Sequence, residues 1–354
     1  MSHRREFLKR AAGAAGIVFT GCSLLDAAPQ LAGAPRRRQV VVNGRRIKTI
    51  DVHAHCSVPE AARLMNHELT GSNQDAPLQD RLKAMDAQGI DMQALSINAF
   101  WYAADRDIAT RLIKIQNEKL AELCAAHPDR FVAFASVALQ FPDLAAQQLE
   151  EAVKKFGLRG AAIGGHVNGD ELSAPKFDPF WAKAEQLGVL VFMHPQGVPE
   201  LDKRLAGNGR LSNVIGNPLE TTIFLSHLIF DGTLDRYPGL KVCGAHGGGY
   251  LPSYADRSDH GCAAGPGCDP KPLKKHPTEY LRKEIYVDSL VFSPEALRHL
   301  VAQCGASQIM IGTDFPFPWT TTPVDHILNT PGLSAADKRA ILGETAARLL
   351  RIPA

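Results

Sequence analysis

Along the chain, short and largely apolar runs alternate with longer stretches in which apolar residues return every three or four positions. The runs fall at residues 47–52, 94–97 (ALSI), 131–139 (FVAFASVAL), 158–167 (LRGAAIGGHV), 189–197 (VLVFMHPQG), 240–249 (LKVCGAHGGG), 285–291 (IYVDSLV) and 308–317 (QIMIGTDFPF). Runs of this kind, bounded by Gly or Pro, predict strands that are apolar on both faces, as in a parallel sheet covered by helices. The helical periodicity falls at 78–88, 108–126, 142–156, 177–187, 218–231 and 294–304. The pattern at 108–126 stops at His127-Pro128, because a residue before proline is pushed out of the helical region. Eight strand units within roughly 300 residues predict an α/β fold, a (β/α)8 TIM-like barrel.

Where each apolar run gives way to polar residues, the same side chains recur. His53 and His55 close the first strand, His194 the fifth, His246 the sixth and Asp314 the eighth. Strand alternation puts His53 and His55 on one face, with Asp51 below them. The C-terminal rim is where barrel enzymes build their sites. Any one of these residues alone reads as a polar strand end, whereas several imidazoles and a carboxylate on one rim suit zinc or another borderline divalent ion. An open position on such an ion acidifies bound water to a pKa of about 7. His166, ending the fourth run in GGHVNG, is a candidate to line the pocket. Arg210 and Asn217 flank a polar loop expected near the barrel mouth. Gly247 to Gly249 lack the Lys-Ser/Thr sequel of a phosphate loop and are expected to let the backbone turn tightly beside the metal.

Composition changes the picture mainly at the N-terminus. Seven Lys and Arg against two acids leave residues 1–38 at +5, so the remainder of a chain of net +2 carries −3. That slightly acidic body offers no basic patch for nucleic acid. The leader, SHRREFLKR followed by an Ala/Gly-rich stretch, resembles a twin-arginine export signal. It implies a cleavable segment over 1–38, a body over 39–354, and a periplasmic or secreted location. FTGC at 19–22 resembles a lipid-attachment box but departs from it at Phe19; lipid anchoring at Cys22 and cleavage after AGA at 32–34 are the two alternatives. No other segment is apolar enough for an integral membrane span. Seven cysteines are too few for a disulfide framework, although Cys262 and Cys268 are placed to pair in an oxidising compartment. Cys56 is expected to pack rather than to ligate.

DVHAHC, GGHVNG, FMHPQG, NPLETT, CGAHGGGYLP and IGTDFPFPW, in this order, resemble the amidohydrolase superfamily, and within it the branch typified by aminocarboxymuconate-semialdehyde decarboxylase. The resemblance runs from about Ile50 to Ile352. It implies a distorted barrel with one zinc (manganese or iron being the alternatives) bound by His53, His55, His194 and Asp314. Asp314 would also belong to the catalytic centre, with His246 as acid/base beside the metal. Arg257, eleven positions after His246, would reach the carboxylate of a small-molecule substrate from a neighbouring subunit, which implies a homodimer. The fourth strand lacks a lysine, so a carbamate-bridged pair of metals is not expected. Two departures stand out: residues 66–80 carry no second carboxylate-binding arginine, and Gln196 replaces an aromatic after His-Pro. The implied activity is non-oxidative decarboxylation of a small unsaturated or aromatic acid. Hydrolysis of a lactone, ester or amide uses nearly the same residues and remains the alternative.

Overall fold

The computed structural model describes residues 37–69, 76–264, 267–268 and 271–353. The paired arginines of the leader and Cys22 lie outside the described residues. A short hairpin pairs Val41–Val42 with Arg45–Arg46 ahead of the main sheet. Eight strands follow: β1 (Ile50–His55), β2 (Met92–Ser96), β3 (Phe131–Ala133), β4 (Gly160–Ile163), β5 (Leu190–Met193), β6 (Lys241–Gly244), β7 (Ile285–Asp288) and β8 (Ile309–Met310). The principal helices are α1 (Leu78–Gln88), α2 (Arg106–Ala126), α3 (Pro142–Lys154), α4 (Asp178–Leu187), α5 (Asn217–Phe230), α6 (Leu251–Ala263), α7 (Pro294–Cys304) and α8 (Thr345–Leu350).

All pairings among these eight strands are parallel. β1, β2 and β3 form one ladder, and β4 through β8 form another in chain order. Two isolated parallel bridges, Ala135 to Ala161 and Ala54 to Phe315, join the ladders at both edges and close the ring. This is the expected barrel, and single bridges in place of full ladders are its distortion.

The strands are shorter than the apolar runs for a local reason. Beyond Ala133, the backbone N–H of Ser136 donates to Asn117 Oδ1 and that of Ala138 to Gln148 Oε1, at 2.9 Å each. These donors go to side chains of α2 and α3, so no neighbouring strand pairs with them.

Burial on both faces explains the unbroken apolar runs. Ile50, Val52, Met92, Ala94, Phe134, Phe192 and Met310 pack into one cluster, closed at the strand starts by Leu349 and Leu350 of α8 and by Ile352. Ala54, Leu95, Ile163, Val191 and Val287 face the other way, into the larger cluster under the helices. The helix ends follow their residues: Asp105 caps α2 by accepting from Ile108 N, Ser293 caps α7 by accepting from Ala296 N, and Gly89 stops α1 at φ +79°. The body's contacts begin inside the basic leader, where Arg38 forms a bidentate pair with Asp325. Cys262 and Cys268 are joined by a disulfide. Among the described residues, no helix is long and apolar enough to cross a membrane.

One expectation about β1 is corrected here. The register of β1 against β2 shifts between Asp51 and Ala54, a bulge that breaks strict alternation. Asp51 therefore does not share the histidine face. It accepts from Gln93 Nε2 at 3.0 Å and Thr313 Oγ1 at 2.6 Å, and Gln93 in turn accepts from the buried Arg81 of α1 at 3.0 Å. Asp51 thus ties β1 to the helix layer and to the chain after β8. Burial pushes its carboxyl up to about 6, with the Thr313 hydrogen bond pulling it back.

Candidate metal centre and active site

The centre begins at the bulge. His53 Nε2 lies 3.0 Å from His55 Nε2, and the two stand 3.0 and 2.8 Å from Asp314 Oδ1. His194, closing β5 and held by its backbone N–H to the Ile163 carbonyl, brings Nε2 to 3.9 Å from the same oxygen. One ligand atom from each of these four residues falls within 4.8 Å of the others.

Tautomers settle what this cluster can hold. His53 Nδ1 sits 2.6 Å from Asp288 Oδ2, so in the neutral ring the proton is on Nδ1 and Nε2 presents a lone pair to a metal. Ser96 Oγ donates to the Ala54 carbonyl at 3.3 Å, which leaves it to accept from His55 Nδ1 at 3.1 Å. The His55 Nε2 is then also a lone pair. Two nitrogen lone pairs and a carboxylate oxygen facing one another across about 3 Å repel unless a cation stands among them. Three imidazoles and one carboxylate are a fitting donor set for a borderline divalent metal.

The electrostatics agree. Burial disfavours charge on His53, yet Asp314 and Asp288 outweigh it and raise the imidazole to about 10. Burial would raise Asp314, but the positive charge favoured on His53 and the other imidazoles around it hold it far below the usual carboxylate range. Burial also lowers His55 and, more strongly, His194, keeping them neutral. The centre attracts positive charge: His53 holds a proton that a metal ion would displace, while His55 and His194 stay neutral.

His246 stands beside this cluster, outside it. Its Nε2 is 3.9 Å from Asp314 Oδ2, whereas the other three histidines approach Oδ1, and its ring lies 5.3 Å from those of His53 and His194. The residue adopts φ +55°, a left-handed conformation costly outside glycine. Asp288 holds it there by accepting from the backbone N–H of His246 at 2.9 Å and of Gly247 at 2.8 Å. The turn that follows needs glycine at 249, where a Cβ would sit 2.2 Å from the Pro218 carbonyl oxygen.

A cavity of about 380 Å³ opens on the centre through His55 and His194. Ser57, Asn98, Gln196, Asn217 and Phe317 line it. Asn217 thus reaches the mouth as expected, while Arg210 stacks over Trp319 at 5.2 Å outside the cavity. Cys56 packs against the core, donates to the Ser96 carbonyl at 3.7 Å, and also borders the cavity.

His166, a candidate to line the pocket, is not brought here. His166 lies in a hairpin (His166–Val167 with Asp170–Glu171) and borders a separate cavity of about 100 Å³, with Nε2 3.9 Å from Glu220. Arg257 is exposed on α6 and does not line the main cavity.

Two residues with clear roles escaped the sequence reading. Asp288 closes β7 with the same run-then-polar pattern as the ligands, and that pattern is the signal that would have found it. Glu220, inside α5, left no such signal. Its buried carboxylate accepts from the backbone N–H of Gly165 (3.1 Å), Gln196 (2.6 Å) and Gly197, clamping the loops after β4 and β5 together. Burial pushes it up to about 7 against the pull of those three donors.

A family model described as amidohydrolase matches residues 50–352. The chain belongs to the amidohydrolase family. It is 33% identical over 278 residues to 2-amino-3-carboxymuconate-6-semialdehyde decarboxylase of Dictyostelium discoideum, covering 76% of this chain and 75% of that protein. It is also 33% identical over 284 residues to gamma-resorcylate decarboxylase of Rhizobium radiobacter, covering 76% and 85%. Among solved structures, this amidohydrolase resembles 5-carboxyvanillate decarboxylase from Sphingomonas paucimobilis, with a TM-score of 0.78, 28% identity, and coverage of 87% of this chain and 100% of that one. It resembles dihydroxybenzoic acid decarboxylase from Polaromonas with bound manganese and the inhibitor 2-nitroresorcinol at a TM-score of 0.76 and 27% identity, covering 86% and 97%.

Proposed function

We propose that this amidohydrolase is a metal-dependent, non-oxidative decarboxylase of a small aromatic acid. The observation that carries the reading is the kinship itself: relatives matched over three quarters or more of both chains are decarboxylases, and a four-ligand metal site of the required kind is present. Kinship favours carboxy-lyase chemistry over the hydrolysis of a lactone, ester or amide.

His53, His55, His194 and Asp314 would hold one divalent ion. When bound, that ion supplies a Lewis acid that anchors and polarises oxygens of the substrate. Zinc is the reading the ligand set suits, and the manganese in the Polaromonas structure supports manganese equally. Asp288 orients His53 and holds the backbone of His246. His246 delivers a proton to the ring carbon that bears the carboxylate. The C–C bond then breaks, its electron pair restores the aromatic ring, and CO₂ leaves. Solvent returns the proton to His246. Proton NMR of turnover in D₂O tests this: one deuterium at the carbon that lost the carboxylate is expected, and hydrolysis of lactones or esters with no decarboxylation of aromatic acids would overturn it.

Arg257 would serve the departing carboxylate from a second copy of the chain, since on its own subunit it lies outside the cavity. The active species is then at least a homodimer. Analytical ultracentrifugation at assay concentration should find dimer, and a fully active monomer contradicts the role.

The leader would export the folded enzyme through the twin-arginine route. Arg4→Lys with Arg5→Lys should trap precursor in the cytoplasm. Processed enzyme outside the cytoplasm in that variant contradicts the reading.

A further inference from the structure

The cavity beside the metal centre carries polar atoms for which the protein provides no partner. Asn98 Oδ1 and Ser57 Oγ are buried without a hydrogen bond, and both residues line the cavity. An unpaired buried polar atom is costly, so it is tolerated where an incoming molecule supplies the partner.

The chemistry of these atoms restricts that partner. A carboxamide oxygen accepts and cannot donate, while a serine hydroxyl does either. The pair suits a group bearing O–H, and a carboxylate would set its charge against Asn98 Oδ1. Among the described residues, no lysine or arginine lines the cavity, and the sequence at 70–75 contains neither. His67 on the cavity wall lies flat against Phe100, ring centroids 4.2 Å apart and 6° from parallel, and so presents an aromatic surface. The metal and the Arg257 proposed from a second copy serve the departing carboxylate, so a second carboxylate would find no further lysine or arginine among the described cavity residues, and burying an unpaired charge is strongly unfavourable.

We propose that Asn98 and Ser57 are specificity-determining residues that read a ring hydroxyl, and that the substrate is a phenolic monocarboxylate rather than a dicarboxylate. This inference rests on the decarboxylase reading and narrows it. Gln196 and Asn217 complete an amide-rich wall consistent with hydroxyl recognition.

The test compares two matched acids on the metal-loaded enzyme: 2,6-dihydroxybenzoate, and 3-hydroxyphthalate, which carries a carboxylate in place of one hydroxyl. CO₂ release gives kcat and KM, and calorimetry gives affinity independently of turnover. The dihydroxy acid should be favoured about 100-fold or more in kcat/KM, because a site built for hydroxyl partners rejects groups that leave them unpaired. Asn98→Leu and Ser57→Ala should each raise its KM about tenfold, the scale of one lost hydrogen bond, with the metal content unchanged. Equal or better binding of the dicarboxylate, or a KM unmoved in both variants, overturns the hydroxyl reading and leaves decarboxylation standing. CO₂ from neither acid overturns decarboxylation and this inference with it. Should the variants fail to fold, the pair of acids on the natural sequence decides.

Discussion

His246→Ala is expected to keep its metal and lose its rate, whereas His194→Ala loses both. The difference follows from geometry. His53, His55, His194 and Asp314 converge on one point, with Asp314 using Oδ1, while His246 approaches the opposite oxygen at 3.9 Å. Four protein ligands would already fill the shell of a divalent ion that still needs room for the substrate, so a fifth would close the reactive position. On that reading His246 would be free to move protons. Its removal should lower kcat by about 100-fold or more, the usual scale for a lost general acid/base. One limb of the pH–rate profile should vanish in that variant alone, because His194→Ala removes the metal rather than the proton donor. Elemental analysis beside steady-state kinetics reads both quantities. Metal lost from His246→Ala in step with activity would make it a ligand and remove the assigned acid/base.

Asp288→Asn is expected to weaken metal binding and turnover together, without touching the metal directly. Asp288 Oδ2 accepts from His53 Nδ1 and from the backbone of His246, and Oδ1 accepts from Gly247 and Leu290. An asparagine must turn an NH₂ toward one of these donor pairs. Either His53 loses the partner that fixes its tautomer, or the strained backbone of His246 loses its restraint. Loss of a carboxylate behind a histidine ligand typically costs about 10–100-fold in metal affinity. Chelator competition measures that affinity. Wild-type affinity and wild-type kcat in the variant would show that Asp288 merely packs.

The metal centre was legible because barrel chemistry follows a simple rule: polar residues where strand hydrophobicity stops. His53, His55, His194, His246 and Asp314 all obeyed it, and so did the order of the strands. Asp288 obeyed it too, but it sits in a run whose next residues, Ser289 to Val291, return to apolar character and blur the stop. Strict alternation puts Asp51 on the wrong face because periodicity cannot register a bulge, which depends on how β1 meets β2. Glu220 lies inside the NPLETT motif, but the motif gives it no role. Its value lies in three backbone N–H groups from two distant loops, a tertiary fact no local sequence displays. His166 marked a run's end just as the ligands did, yet the chain turns there into a hairpin, and its ring ends in another cavity.

The central claim, metal-dependent decarboxylation of an aromatic acid, is tested most directly by isotope release. Purified enzyme supplied with 2,6-dihydroxybenzoate labelled with ¹³C in the carboxyl group should evolve ¹³CO₂ in equal amount to the resorcinol formed. Chelation should abolish the release, and zinc or manganese at about one ion per chain should restore it. Undiminished ¹³CO₂ from metal-free enzyme, or no ¹³CO₂ from this or any related hydroxybenzoate by metal-loaded enzyme, would contradict the account.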